Sequence, residues 1–179
     1  MHDYFRSKVL IVSHCLLNKS VRWWQKGKPP ERNIGLANEI VQYALKHNIG
    51  LIQMPCPEFT FCGNPRPSRT KDEYERLQDF RNHCKKLAES VTEQIRTLTT
   101  MSENPQIQIV AVIGIKRSPS CAVNSAIAIK NGVVNQNEKG IFIELLKSEL
   151  SSHCQIIPPF FEYDFDNPNE LIEILEKLS

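Results

Sequence analysis

Short apolar runs alternate along this chain with longer segments whose apolar positions recur at helical spacing. Residues 8–13 (K-V-L-I-V-S), 50–54 (G-L-I-Q-M) and 107–115 (I-Q-I-V-A-V-I-G-I) are strand-length, and turn-forming residues follow each of them. Between the first two, Asn33 is placed to cap a helix carrying Ile34, Ile40, Val41, Ala44 and Leu45, which His47, Asn48 and Gly50 bring to an end. Residues 56–69 contain three prolines and a glycine and read as loop. Thr70 with Glu73 three residues on is a capping-box signature, opening a long helix through Leu77, Phe80, Cys84, Leu87, Val91, Ile95 and Leu98. The run 107–115 is the most hydrophobic in the chain, which predicts a central strand covered on both faces.

Ser118 and Pro119 fit a helix start or a tight turn equally well. Residues 127–134, with Asn131-Gly132 inside them, predict a small hairpin. Residues 141–150 are helical by period, 155–157 form a short strand stopped by Pro158, and Asn167-Pro168 with Glu170 opens a terminal helix. Strands alternating with helices predict one domain over residues 1–179. Its fold class is α/β, an open, mostly parallel, Rossmann-like sheet with helices on both faces.

A chain of 179 residues is long enough for one substantial core. With 41% hydrophobic and 23% charged residues it has a globular composition, and a net charge of +2 gives neither nucleic acid nor a membrane surface much to bind. Residues 1–7 carry charge at once, and only a strand-length apolar run follows, so neither a signal peptide nor a membrane span is expected and the cytoplasm is the expected location. A monomer or weak dimer is the expected state. Six cysteines in such a chain do not make a disulfide scaffold and predict buried, metal-bound or catalytic thiols.

Cys15, Cys56 and Cys121 each fall beyond one of the three apolar runs. In a parallel sheet the C-terminal strand ends share the edge where such folds bind ligands, so thiols far apart in the chain can meet there. The expected result is a three-thiolate metal site with an open position; the alternative is three buried free thiols. A helix starting at S-P-S-C would favour the thiolate of Cys121. Cys84 and Cys154 read as core packing, and Cys62 as a fourth ligand or a spare thiol. Glu58, two residues past Cys56, is either a general base or acid or a solvated loop carboxylate. Ser118 and Ser120 either donate to substrate or act as caps. Arg22, Arg66, Arg69, Lys116 and Arg117 lie in the same loops, where they offset thiolate charge and draw a polar or anionic substrate unless they are solvated surface charge. Trp23 and Trp24 offer a flat face to a heterocycle. Three thiolates and a water also make an open zinc site, although the long gaps are unlike compact zinc-finger pairs. A redox-sensing module without turnover is a further alternative.

The motifs C-L-L-N-x-x-V-R-W from Cys15, C-P-E with downstream G-N-P-R-P from Cys56, S-P-S-C ending at Cys121 and K-G-I-F-I-E-L-L from Lys139 together resemble the TudS-like thiouracil desulfidase family. The resemblance implies a 4Fe-4S cluster held by Cys15, Cys56 and Cys121, with one iron free to bind the sulfur of a small thiolated heterocycle, and a cluster easily lost in air. It implies catalytic roles for Glu58 and Ser118. The chemistry of the loops makes Arg22, Trp23 and Ser120 the expected substrate contacts, and an iron with an open position predicts non-redox hydrolysis of the carbon–sulfur bond with release of hydrogen sulfide. Departures from the family pattern fall at Asn18, at Trp23-Trp24-Gln25, at 59–62 and at Ala122, around the expected pocket and not on the ligands.

Overall fold

The computed structural model describes residues 5–178; residues 1–4 and 179, which include part of the charged N-terminal segment, lie outside the described residues. The elements follow one another as β1 (Arg6–Ser13), α1 (His14–Leu17), α2 (Asn38–Lys46), β2 (Gly50–Met54), α3 (Pro57–Cys62), α4 (Lys71–Glu75), α5 (Phe80–Thr100), β3 (Gln106–Ile115), β4 (Ala126–Lys130), β5 (Val133–Glu138), α6 (Ile141–His153), β6 (Phe160–Tyr163) and α7 (Asn169–Leu178). Four strands form a parallel sheet in the order β2-β1-β3-β6, and β4 and β5 form a separate antiparallel hairpin. The architecture is the expected α/β fold. None of the described helices is long and apolar enough to cross a membrane.

The two inner strands are the most deeply buried of the parallel sheet. Leu10, Ile11 and Val12 in β1 and Ala111, Val112 and Ile113 in β3 have no accessible surface, because helices cover the sheet above and below. A right-handed crossover from β1 out to β2 and another from β2 back to β3 place α2 and α5 on opposite faces. Accordingly α6 packs on α5, while α7 packs on α2, where the Tyr43 hydroxyl donates to the carbonyl of Leu175 at 3.0 Å. Truncating one of the buried aliphatic side chains of β1 or β3 to alanine costs about 2–5 kcal/mol.

Several expected boundaries move. The first long helix begins at Asn38 with Ala37 as its cap, because Gly35 sits at φ +79° and Ile34 is exposed; Asn33 instead spends its side-chain amide on the carbonyl of Arg22 at 2.8 Å. Residues 56–69 are not all loop, since Pro57 starts α3 from the first helical position, where its missing N–H costs nothing. The capping box at Thr70 and Glu73 is present but serves the short α4. The chain then breaks at Asp79, at φ +65°, before α5. The last strand is Phe160–Tyr163, not 155–157: Ile156 is 83% exposed, and pairing with β3 begins where the Pro159 carbonyl accepts the N–H of Val112 at 2.9 Å. Cys154 therefore ends α6 and does not open a strand. The hairpin turns on Asn131 and Gly132, both at positive φ, as a mirror-image two-residue turn requires.

Candidate active site

Because β1 lies between β2 and β3, the chain leaves the sheet at three neighbouring points on one edge, and each exit carries a cysteine. Cys15 is in the single turn of α1 directly after β1, and Cys56 caps α3 two residues past β2. Cys121 closes the turn that follows β3. All three line a cavity of about 430 Å³. All six cysteines are free thiols; Cys62 and Cys84 do not line this cavity. A larger groove of about 1000 Å³ opens at the other end of the sheet beside Cys154, but among the described residues no Asp or Glu lines it.

The Cys121 turn is held from several sides. Of the two forms the sequence allowed, S-P-S-C adopts the tight turn, in which Ser118 Oγ accepts the N–H of Cys121 at 3.0 Å. The first amides of α6 are satisfied by that turn: Ile141 donates to the carbonyl of Pro119, and Phe142 and Ile143 donate to that of Ser120. The Cys121 carbonyl accepts the N–H of Ile115 at 2.9 Å. Two glycines permit this closeness, since a Cβ at Gly114 would overlap the Cys121 carbonyl and one at Gly140 would overlap the backbone of Ser120 and Ala122.

Glu58 enters from the first turn of α3 and is buried. Its Oε1 accepts from Ser120 Oγ at 2.6 Å and from Ser118 Oγ at 3.3 Å. Its Oε2 accepts from the Tyr74 hydroxyl at 3.3 Å and lies 3.5 Å from the Arg66 guanidinium. Ser118 lines the cavity, whereas Ser120 is wholly buried behind its wall and reaches the site through Glu58. Arg66, also buried, ties the Cys56 loop to the Cys15 loop by donating to the carbonyls of Gly63 and Val21.

Cys15 and Cys121 both feel the neighbouring Cys56. Burial first, and then the Cys56 sulfur, pushes the Cys15 thiol far up; at Cys121 burial acts first, followed by Cys56 and Cys15. Cys56 is pushed up to about 11 by burial and then by Glu58. A cation bound among them reverses this balance and draws off the protons. Among the described residues no three His, Cys, Asp or Glu side chains are gathered as ligands of one ion. Three free cysteine thiols lining one cavity are a donor set whose chemistry fits an iron–sulfur group.

The rim is cationic and aromatic. Arg22, Arg66, Arg69, Lys116 and Arg117 all line the cavity, as does Arg32. The Arg22 guanidinium stacks 3.8 Å above Phe165, and that of Arg32 lies 4.0 Å above Trp23. Trp24 stays off the cavity, its indole N–H donating to the carbonyl of Lys28. Lys116 and Arg117 are matched by Asp164 at 3.2 and 3.0 Å, with Asp166 also beside Arg117. Sequence reasoning missed Tyr74, Arg32 and the run Asp164-Phe165-Asp166. The last of these follows a strand that had been placed too early, and its alternating acidic and aromatic residues are the signal that would have marked it.

A sequence model of the 2-thiouracil desulfurase family matches residues 10–155. The chain belongs to the 2-thiouracil desulfurase family. The matched span runs from β1 to just past α6 and so includes all three cavity cysteines. The chain is also 31% identical over 173 residues to uncharacterized protein MJ0003 of Methanocaldococcus jannaschii, covering 96% of both. Among solved structures it resembles the [4Fe-4S]-dependent thiouracil desulfidase TudS, with a TM-score of 0.50, 19% identity and coverage of 96% of this chain and 99% of that one. At that identity the likeness speaks to the fold.

Proposed function

We propose that this protein is a 4Fe-4S-dependent desulfidase acting as one domain over residues 1–179, which removes the sulfur of a small thiolated heterocycle by hydrolysis: C=S and water become C=O and hydrogen sulfide. The observation that carries this reading is the meeting of three free thiols with a buried, hydrogen-bonded carboxylate around one cavity. Cys15, Cys56 and Cys121 would hold the cluster. When bound, a cluster with only three protein ligands supplies a Lewis-acidic iron for the substrate sulfur.

The chain's own groups account for the rest. Glu58 takes a proton from the attacking water as general base, its carboxylate kept in place by Ser120, Tyr74 and Arg66. Ser118, which bonds Glu58 and faces the cavity, orients the substrate or the departing sulfur. Arg22 and Trp23 flank the heterocycle, and Ser120 acts on it through Glu58. The hydrolysis balances without a redox change and without a second cofactor. Membrane and nucleic acid have no part in it, and the cytoplasm is the compartment that suits free thiols.

The test is anaerobic iron and sulfide analysis of freshly prepared protein, with sulfide release from 2-thiouracil and related thiolated bases followed in parallel. The expected result is a brown protein that liberates sulfide, and a Cys121→Ala variant that loses both colour and turnover. A Cys121→Ala variant that keeps both would overturn the proposal.

A further inference from the structure

Glu162 lies on the edge strand β6, next to Gly114 in the register of the parallel pair β3–β6. Neighbours in that register present their side chains to the same side of the sheet. Gly114 therefore leaves room for the Cys121 carbonyl at the point where Glu162 reaches the residues just beyond it. One oxygen of that carboxylate, Oε1, accepts from the backbone N–H groups of Val123 at 2.6 Å, Asn124 at 2.8 Å and Ser125 at 3.2 Å, and from Ser125 Oγ at 2.9 Å. Ser125 Oγ in turn accepts the N–H of Arg117 at 2.8 Å, which closes the loop on its other side. Three successive amides converging on one anion form a concave donor set that in other settings binds a free anion. Here the chain fills it with its own carboxylate, and charge-assisted bonds of this kind are about twice as strong as neutral ones.

We infer that Glu162 is a positioning residue for Cys121, clamping residues 123–125 so that the thiol stays turned into the cavity. Its effect on the cofactor rests on the desulfidase reading; its effect on the turn does not. Ala122 is tied by its N–H to the Ser118 carbonyl and by its carbonyl to the Gly140 N–H, and the Val123 side chain is buried in the core, but the N–H groups of residues 123–125 are held by Glu162. Ser118, Gly114 and Gly140 bound the turn from the other sides. Removing the carboxylate therefore loosens residues 123–125, the outer part of the C-terminal flank of Cys121, while Ser118 to Ala122 stay tied.

The experiment uses the full chain in two arms. In cluster-free protein, amide exchange and iodoacetamide labelling are read peptide by peptide for wild type, Glu162→Ala and Glu162→Gln. Glu162→Ala is expected to speed exchange at Val123, Asn124 and Ser125, and labelling of Cys121, by about tenfold or more, with β1, β2 and Cys84 unchanged. Glu162→Gln, which retains an acceptor oxygen, should stay within about threefold of wild type. In the second arm, anaerobic reconstitution with iron and sulfide is followed by iron content and electron paramagnetic resonance. Glu162→Ala should load less iron or give an altered signal, and Glu162→Gln should restore it.

Unchanged exchange and labelling in Glu162→Ala overturn the inference, as does a uniform rise over the whole chain, which marks general destabilisation. Wild type that loads no cluster counts against the desulfidase reading alone, because the first arm decides the clamp without iron. Should Glu162→Ala not fold, Ser125→Ala removes one arm of the same clamp; it supports the inference if labelling of Cys121 rises and overturns it if not.

Discussion

Replacing Gly140 by alanine perturbs the Cys121 turn through packing alone. Gly140 sits at φ −65° and ψ 147°, a conformation alanine adopts freely, so backbone strain plays no part. The added Cβ would overlap the carbonyl of Ser120 and the amide nitrogen of Ala122. Neither group can swing aside. The Ser120 carbonyl accepts from Phe142 and Ile143 at 3.0 and 3.1 Å, and the Ala122 N–H is spent on the Ser118 carbonyl at 3.2 Å. Overpacking against rigid atoms costs about 1–3 kcal/mol, here toward the upper end. The alanine returns about 0.4–1 kcal/mol by restricting the unfolded chain, which leaves a net loss of about 2 kcal/mol. For a chain of this size that corresponds to a melting temperature lower by about 4–8 °C. The assay is thermal unfolding of cluster-free protein by circular dichroism, with Gly50→Ala as the control, because a Cβ there meets the Val9 side chain at 3.4 Å and the Lys8 carbonyl at 3.7 Å, both ordinary contacts. Equal melting temperatures for the two variants would refute the close approach of the turn to Gly140, and with it the account of how Cys121 is enclosed.

Glu58→Gln keeps the shape of the site and removes the proposed base, so turnover should fall by about 10²–10⁴ while iron content stays at the wild-type level; a loss under tenfold would take that role away from Glu58. Tyr74→Phe deletes one donor to that carboxylate and should lower stability by about 1.5–3 kcal/mol in urea unfolding, since a buried bond to a charged acceptor is lost. The pH dependence follows from Cys56, whose thiol is raised from an ordinary 9.0 to about 11. The folded chain holds that proton more tightly than the unfolded one. The resulting stabilisation is full below about pH 9 and disappears as pH rises toward 11. The urea midpoint of cluster-free protein should fall over that interval, and Cys56→Ala should flatten the fall; a midpoint that rises with pH there contradicts the buried, protonated site.

The strands that build the site were legible because buried parallel strands are continuous apolar runs, and 50–54 and 107–115 needed almost no adjustment. The three cysteines followed from topology, as exits from neighbouring strands share an edge. What escaped detection depends on contacts between distant parts of the chain. The prolines of 57–69 read as breakers, but Pro57 at a first helical position starts α3 and thereby aims Glu58 inward. The choice between two runs after α6 turned on which one β3 could pair with; the exposed Ile156 and Ile157 looked more strand-like than Phe160–Tyr163. Local pattern carries no information about an available partner edge, so that error displaced Glu162 and Asp164 from view. Ser118 and Ser120 could not be ranked from S-P-S-C alone, because burial separates them and burial is a tertiary property.

Since the three sulfur-bearing exits belong to strands joined only by long-range parallel pairing, the cradle does not exist until β1, β2 and β3 have all come together. A nascent chain still missing its last third has two of the thiols and no receptacle. A cluster held by these thiols would therefore be taken up only once β3 has paired and the Cys121 turn has formed, past a rim of arginines and aromatic rings.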